Sequence, residues 1–296
     1  MSLNIIKLNT YIDKALAKAN NDYSDFNKNY ILSIQISLDG FSFCIVDDER
    51  SKIIALETYA IQEIDNYEIL AKDLGELINN LDIIKRRFNR VNVLFEGTKA
   101  TLIPFPLFEE TASQHYLNFN HKLEYGEEIS FDKLNSLQAY NVFAIPTCIK
   151  EMIKSKFINY KINHFSSTLI EGLLIKYKNQ DLNNQVFVNI RSNYLDVLII
   201  EGSKLVFFNT FKYKTPEDLA YFLIYVLEQQ KLNPENIDLI MLGEIDKNSK
   251  YYEILYKYIR NIEFIERNDF FTYSYALDEV PSNFYYNLLN ASSCEL

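Results

Sequence analysis

Ser51-Lys52-Ile53-Ile54-Ala55-Leu56-Glu57-Thr58-Tyr59 and Ser203-Lys204-Leu205-Val206-Phe207-Phe208-Asn209-Thr210-Phe211 match almost class for class. The correspondence extends outward. Ile31–Ser37 and Phe41–Val46 precede the first stretch, and Val186–Arg191 and Leu195–Ile200 precede the second. Each stretch runs on into a helical segment and then a short apolar strand closed by glycine, Gly97 in one case and Gly243 in the other. The predicted order is strand, strand, strand, helix, strand, and it occurs twice. An α/β fold of two duplicated halves follows, each a mixed sheet flanked by helices.

Local signals support each segment. Ile31, Ile34 and Ile36 alternate with Ser and Gln, as in a strand whose faces differ. Leu38-Asp39-Gly40 predicts a tight hairpin connection. Ile69, Leu70, Leu74, Leu77, Ile78 and Leu81 fall at helical spacing and predict an amphipathic helix over Asn66–Phe88. Lys85-Arg86-Arg87 would form its last turn, where cations complement the dipole. In the second half, Thr215 as N-cap and Pro216 at the first position start a helix, with Leu219, Phe222, Leu223, Val226 and Leu227 as its buried stripe. Asn233-Pro234 ends it.

Residues 1–29 read as an N-terminal arm, with Ile5, Ile6, Tyr11, Ile12 and Leu16 on one helical face. Residues 30–160 form the first half with an insert, and 161–296 the second, the boundary lying near Asn159–Asn163. The insert holds Pro104 and Pro106 among Leu102, Ile103, Phe105, Leu107 and Phe108. Proline prevents regular helix there. Those apolar residues therefore either pack a loop onto the core or remain near the surface as a docking patch. Further on come a helix near Glu109–Asn118, a strand over Tyr140–Ile145, and helices over Thr147–Phe157 and Thr168–Tyr177, the last capped by Ser166-Ser167.

Composition narrows the function classes. A hydrophobic content of 48% is ample for a core of this size, and 22 Tyr with 21 Phe predict aromatic-rich packing. The formal charge of −10 argues against nucleic acid, which needs a basic patch. Cys44, Cys148 and Cys294 have no metal spacing, and reduced thiols fit a cytoplasmic protein. The first residues predict no signal peptide, and no apolar run is long enough to insert into a membrane. His115, His121 and His164 have no partner Ser or Cys at a motif spacing. No P-loop or GxGxxG occurs.

Leu32–Val46, Asn141-Val142-Phe143-Ala144-Ile145-Pro146 and the tail from Asn283-Phe284-Tyr285-Tyr286 to Cys294-Glu295 carry a family resemblance. The chain resembles the actin-like ATPase (RNase H-like) superfamily, which includes sugar kinases, the Hsp70 ATPase domain and the division protein FtsA. It is most similar to a bacterial domain-of-unknown-function family (three-eight-two-two) with that fold. The order around Ile145–Tyr177 is also similar to the pilus-assembly and type II secretion members, which act partly as docking proteins. The resemblance implies that nucleotide would lie in the cleft between halves. The first strand pair of each half would bring an Asp-x-Gly turn to the phosphates and Mg²⁺. Glycine allows close backbone approach, and the carboxylate suits the ion.

Against that pattern, the first half reads Gln35-Ile36-Ser37, with Asp39 and Gly40 a little later. These two are either a shifted phosphate loop or simply a hairpin turn. The second half reads Asn189-Ile190-Arg191-Ser192, without glycine, and Asp196 lies well into the next strand. Arg191 is the candidate for a phosphate or another anion, with Ser192 beside it. The adenosine-side loop has Gly243 alone, in a chain with only 7 Gly. Glu96, closing a strand, is the weak candidate for a general base. No metal site is expected, and no cofactor, with Mg-ATP only under the alternative. The expected function is a degenerate, non-catalytic cytoplasmic interaction scaffold with a protein partner. The alternative is a divergent ATPase or small-molecule kinase.

Overall fold

The computed structural model describes residues 5–14, 16, 29–62, 64, 66–178 and 185–294. The stretch Asn20–Asn29 of the arm lies almost wholly outside them. The described chain divides into two compact units. Unit 1 comprises Met1–Glu171, Asp269–Glu279 and Asn287–Leu296, and unit 2 comprises Gly172–Asn268 and Val280–Tyr286.

In unit 1, β1 (Ile5–Ile12), β2 (Tyr30–Ile36), β3 (Gly40–Asp47), β4 (Lys52–Ile61), β5 (Arg90–Phe95) and β9 (Tyr160–His164) form a sheet in the order β1-β4-β3-β2-β5-β9. The β2–β3 and β3–β4 pairs are antiparallel, and β5 runs parallel to β2. Leu32, Ile34 and Ile36, with Phe41, Phe43 and Ile45, pack against α1 (Tyr67–Asn80) and α3 (Thr147–Lys156). Unit 2 repeats this plan. β10 (Gln185–Ile190), β11 (Tyr194–Glu201), β12 (Lys204–Lys212), β13 (Asp238–Gly243) and β14 (Asn261–Phe264) follow the order β12-β11-β10-β13-β14. Here too two antiparallel pairs lead to β13, parallel to β10. The matched stretches are thus β4 and β12, each two places in its sheet from the first strand of the parallel pair, β2 and β10.

The helix α5 (Pro216–Gln229) starts as its sequence dictates. Thr215 Oγ1 accepts the Asp218 N–H at 3.2 Å, and Asp218 returns the bond to the Thr215 N–H at 3.1 Å. This reciprocal cap satisfies donors that the first turn leaves open. Leu219, Leu223, Val226 and Leu227 are buried on the unit 2 sheet, which is what orients the helix.

Two sequence expectations change. Ile5–Ile12 is an edge strand rather than a helical face, paired antiparallel to β4 with an irregularity between Lys7 and Asn9. The open edge of β4 supplies backbone partners, and Lys7 Nζ reaches Glu57 at 3.1 Å. The helix α1 stops at Asn80, because Leu81 adopts an extended conformation, so Lys85-Arg86-Arg87 lies in a turn beyond it. Ile83, Ile84 and Phe88 still enter the core without helical geometry. In the insert, where the sequence left both core and surface open, Phe105 and Phe108 are half-buried and Leu107 is exposed.

That insert is a small sheet of its own. β6 (Ala100–Pro104), β8 (Ala139–Pro146) and β7 (Glu127–Leu134) lie in the order β6-β8-β7, covered by α2 (Ser113–Asn120). Pro104 and Pro106 force a single 3₁₀ turn over Phe105–Leu107. Phe108 stacks on Tyr140 at 3.9 Å and meets Phe131 at 5.1 Å. Phe105 lies 5.0 Å from Tyr140.

Candidate functional site

The parallel pair in each unit brings two strand ends together, and the candidate residues sit there. In unit 1, Ile36 pairs with Phe95, and the Glu96 N–H donates to the Ile36 carbonyl at 2.9 Å. Gln35 Nε2 donates to Glu96 Oε1, so the carboxylate is paired across the strands. Asp39 is exposed in the hairpin, where its Oδ1 accepts the Ser37 hydroxyl at 2.6 Å. The Ser37 N–H donates to the Gly40 carbonyl at 2.9 Å. Gly40 has no positive φ, and a Cβ there would meet its nearest neighbour at 3.5 Å, an ordinary contact. The glycine is therefore not demanded by a close approach.

In unit 2 the equivalent hairpin closes with the same bond, the Arg191 N–H to the Tyr194 carbonyl at 2.9 Å. Asp196, in β11, is 1% exposed and collects four hydrogen bonds. Arg191 grips it with two, Nε to Oδ2 at 2.9 Å and a terminal nitrogen to Oδ1 at 2.7 Å. Asn189 Nδ2 and Thr210 Oγ1 add the others at 2.8 and 2.7 Å. The fork geometry of guanidinium on carboxylate makes this a strong pair. Ser192 is exposed beside it.

Gly243 has φ +97°, and a Cβ there would fall 2.0 Å from the Ile190 carbonyl oxygen. Only glycine fits so close an approach of β13 to β10. Its N–H donates to the Asn283 carbonyl at 3.0 Å, and Asn283 Nδ2 donates to the carbonyls of Gly243 and Ile245, both at 2.8 Å. Thus Asn283, in the tail that carries the family resemblance, ties down the end of β13.

One polar cluster escaped sequence reasoning. His164, Asp132, Asn141, Ser166 and Ser167, all at most 4% exposed, meet where β9 enters α4 (Phe165–Tyr177). His164 Nε2 lies 3.1 Å from the Gly97 carbonyl, which only accepts, so Nε2 carries the proton. Nδ1 then accepts the Ser166 hydroxyl at 2.7 Å. Asn141 Nδ2 donates to Ser166 and Ser167 at 3.0 and 2.9 Å. Asp132 accepts the His164 N–H at 2.7 Å, Asn163 Nδ2 at 3.1 Å and the Ser167 hydroxyl. Burial pushes the Asp132 carboxyl up to about 6, against these hydrogen bonds, which favour its charged form. A Ser–His pair suggests a nucleophile and its base. Here both side chains are at most 4% exposed, and the imidazole's second nitrogen serves the backbone. The cluster fixes the strand-to-helix junction. The adjacency His164-Phe165-Ser166-Ser167 was its one visible trace.

Among the described residues, no three His, Cys, Asp or Glu side chains gather to hold a metal ion. None of the helices there is long and apolar enough to cross a membrane.

Comparison with known proteins gives the fold and the family. A crystal structure from Bacteroides thetaiotaomicron, of a protein with actin-like ATPase fold and unknown function, is 23% identical. It aligns over 93% of this chain and 99% of that one, with a TM-score of 0.76. A PilM–PilN type IV pilus biogenesis complex is 11% identical over 89% of this chain and 97% of that one, with a TM-score of 0.65. The expected actin-like ATPase fold is therefore the fold of this chain. No curated protein matches it. The family model described as Protein of unknown function (DUF3822) matches residues 20–262, and the chain belongs to that family.

Proposed function

We propose that the chain is a non-catalytic interaction scaffold built on the actin-like ATPase fold, working in the bacterial cytoplasm. The observation that carries this reading is the internal pairing of the residues a nucleotide would need. Arg191 is held by Asp196 through two hydrogen bonds. The Gly243 N–H is taken by the Asn283 carbonyl. Asp39 accepts from Ser37 in its own hairpin, and Glu96 is paired with Gln35. These pairings count against Mg-ATP, which calls for open backbone N–H groups and an available carboxylate. The PilM–PilN neighbour supports docking as a use of this fold. The free thiols of Cys44, Cys148 and Cys294 support a reducing compartment.

Calorimetry with Mg-ATP tests the proposal, and no tight site is expected. A micromolar dissociation constant abolished by Asp39→Ala would overturn it in favour of an ATPase or small-molecule kinase.

A further inference from the structure

The helix α5 buries one apolar stripe and exposes two tyrosines on its opposite side. Leu219, Leu223, Val226 and Leu227 face the sheet of unit 2. The outer face bears Glu217, Tyr221, Tyr225 and Glu228, at i, i+4, i+8 and i+11, so all four lie along one side. Tyr221 is 64% exposed and Tyr225 47%, and their rings stack at 6.2 Å. Beyond α6 (Lys250–Leu255), Tyr258 is 55% exposed and closes a groove of about 300 Å³ with them. Both charged residues lining this groove are acidic, Glu217 and Glu228, and no Lys or Arg lines it. Exposed aromatic rings flanked by carboxylates attract cations on both counts, through the ring face and through charge.

We propose that this face of unit 2 docks a helix of a partner protein that bears two arginines. Glu217 and Glu228 are eleven residues apart, or about 16 Å at 1.5 Å per residue. The arginines of the partner helix share that spacing, and the apolar residues between them cover Tyr221 and Tyr225. Arginine suits the site because its planar guanidinium both stacks on tyrosine and forks onto a carboxylate. The inference deepens the scaffold reading by stating what the scaffold holds.

The test uses the full chain and a labelled synthetic helical peptide with leucines between two arginines eleven residues apart. Its twin has glutamates in their place. Fluorescence anisotropy should show binding of the arginine peptide and none of the twin. Tyr221→Ser with Tyr225→Ser should weaken binding at least tenfold. Glu217→Lys with Glu228→Lys should reverse the preference between the peptides. Because these side chains lie on the outer face, both variants should stay folded, with the thermal midpoint lowered by no more than a few degrees. Failure of the arginine peptide to bind, equal binding by the variants, or an unreversed preference would overturn the proposal. So would a self-associated chain that the tyrosine changes dissociate, since a second copy would then cover the face. A native complex that survives Glu217→Lys with Glu228→Lys would remove this surface and leave the scaffold reading intact. Tight Mg-ATP binding with peptide binding unchanged would do the opposite.

Discussion

Asn283 holds Gly243 from both sides, its carbonyl accepting the glycine N–H at 3.0 Å and its Nδ2 donating to the glycine carbonyl at 2.8 Å. The clamp lies at the point where β13 comes so close to β10 that a Cβ would meet the Ile190 oxygen at 2.0 Å. Backbone conformation and tail contact therefore depend on each other. Neither the helix nor the strand around them supplies a substitute.

Gly243→Ala should be severely destabilising, by more than about 4 kcal/mol, because the new methyl has no space and the φ is adverse. Asn283→Ala should cost about 1–3 kcal/mol, taking the Nδ2 donor from the Ile245 carbonyl and leaving the Gly243 carbonyl with the Ile245 N–H alone, while the main-chain bond persists. Urea unfolding of the two variants gives both values. A Gly243→Ala protein with the parent midpoint would show that the two strand ends do not approach so closely.

Arg191 answers a second question through stability. Arg191→Met strips the buried Asp196 of its countercharge and should cost about 3–5 kcal/mol. Replacing both, as Arg191→Met with Asp196→Leu, should recover only part of the loss, since the apolar pair needs no desolvation of charge but Asn189 Nδ2 and Thr210 Oγ1 lose their acceptor. If Arg191 instead stood ready for an incoming anion, Arg191→Met would leave the unfolding midpoint where it was.

The correspondence of β4 with β12 was legible because residue class is kept at nearly every position, and because the period-2 and period-3.6 signals around them are strong. The Thr215–Pro216 start was equally plain, since a capping box is local chemistry. The edge strand Ile5–Ile12 was not. Its mixed apolar positions suit helix or strand, and the decision came from the free edge of β4, far away in sequence. At the candidate site, sequence could place Arg191 and Asp196 near a turn. It could not tell that Asp196 reaches back to the arginine, which depends on the β10–β11 register. The Asp132–His164 contact is harder still, joining β7 to β9 across 32 residues.

Asp132 predicts a pH dependence of stability. Its carboxyl titrates near 6 in the folded chain against an ordinary 3.8, because burial disfavours the charge. Between about pH 4 and 6 the folded state thus holds the proton more firmly than the unfolded state. Stability should fall as pH rises through that window, by at most about 3 kcal/mol at about 1.4 kcal/mol per unit. Asp132→Asn should flatten this part of the profile, measured as urea midpoints from pH 4 to 7. A slope unchanged in the variant would assign it to another group.

Phe108 decides whether the proline-containing segment is core or surface. Its ring stacks on Tyr140, touches Phe131 and lies 6.3 Å from Tyr116, and these rings sit over Leu117, Val142 and Ala144 in the small sheet. Phe108→Ser would open a cavity among aromatic rings and set a hydroxyl within it. Full burial of a phenylalanine corresponds to about 3–5 kcal/mol on truncation, and this half-buried ring should cost about 2. Limited proteolysis should then cut the variant between β6 and α2, while unit 2 stays protected. Phe108→Leu, which keeps most of the apolar volume, should resist cleavage. A Phe108→Ser protein as resistant as the parent would return this segment to the surface and reopen it as a place where partners dock.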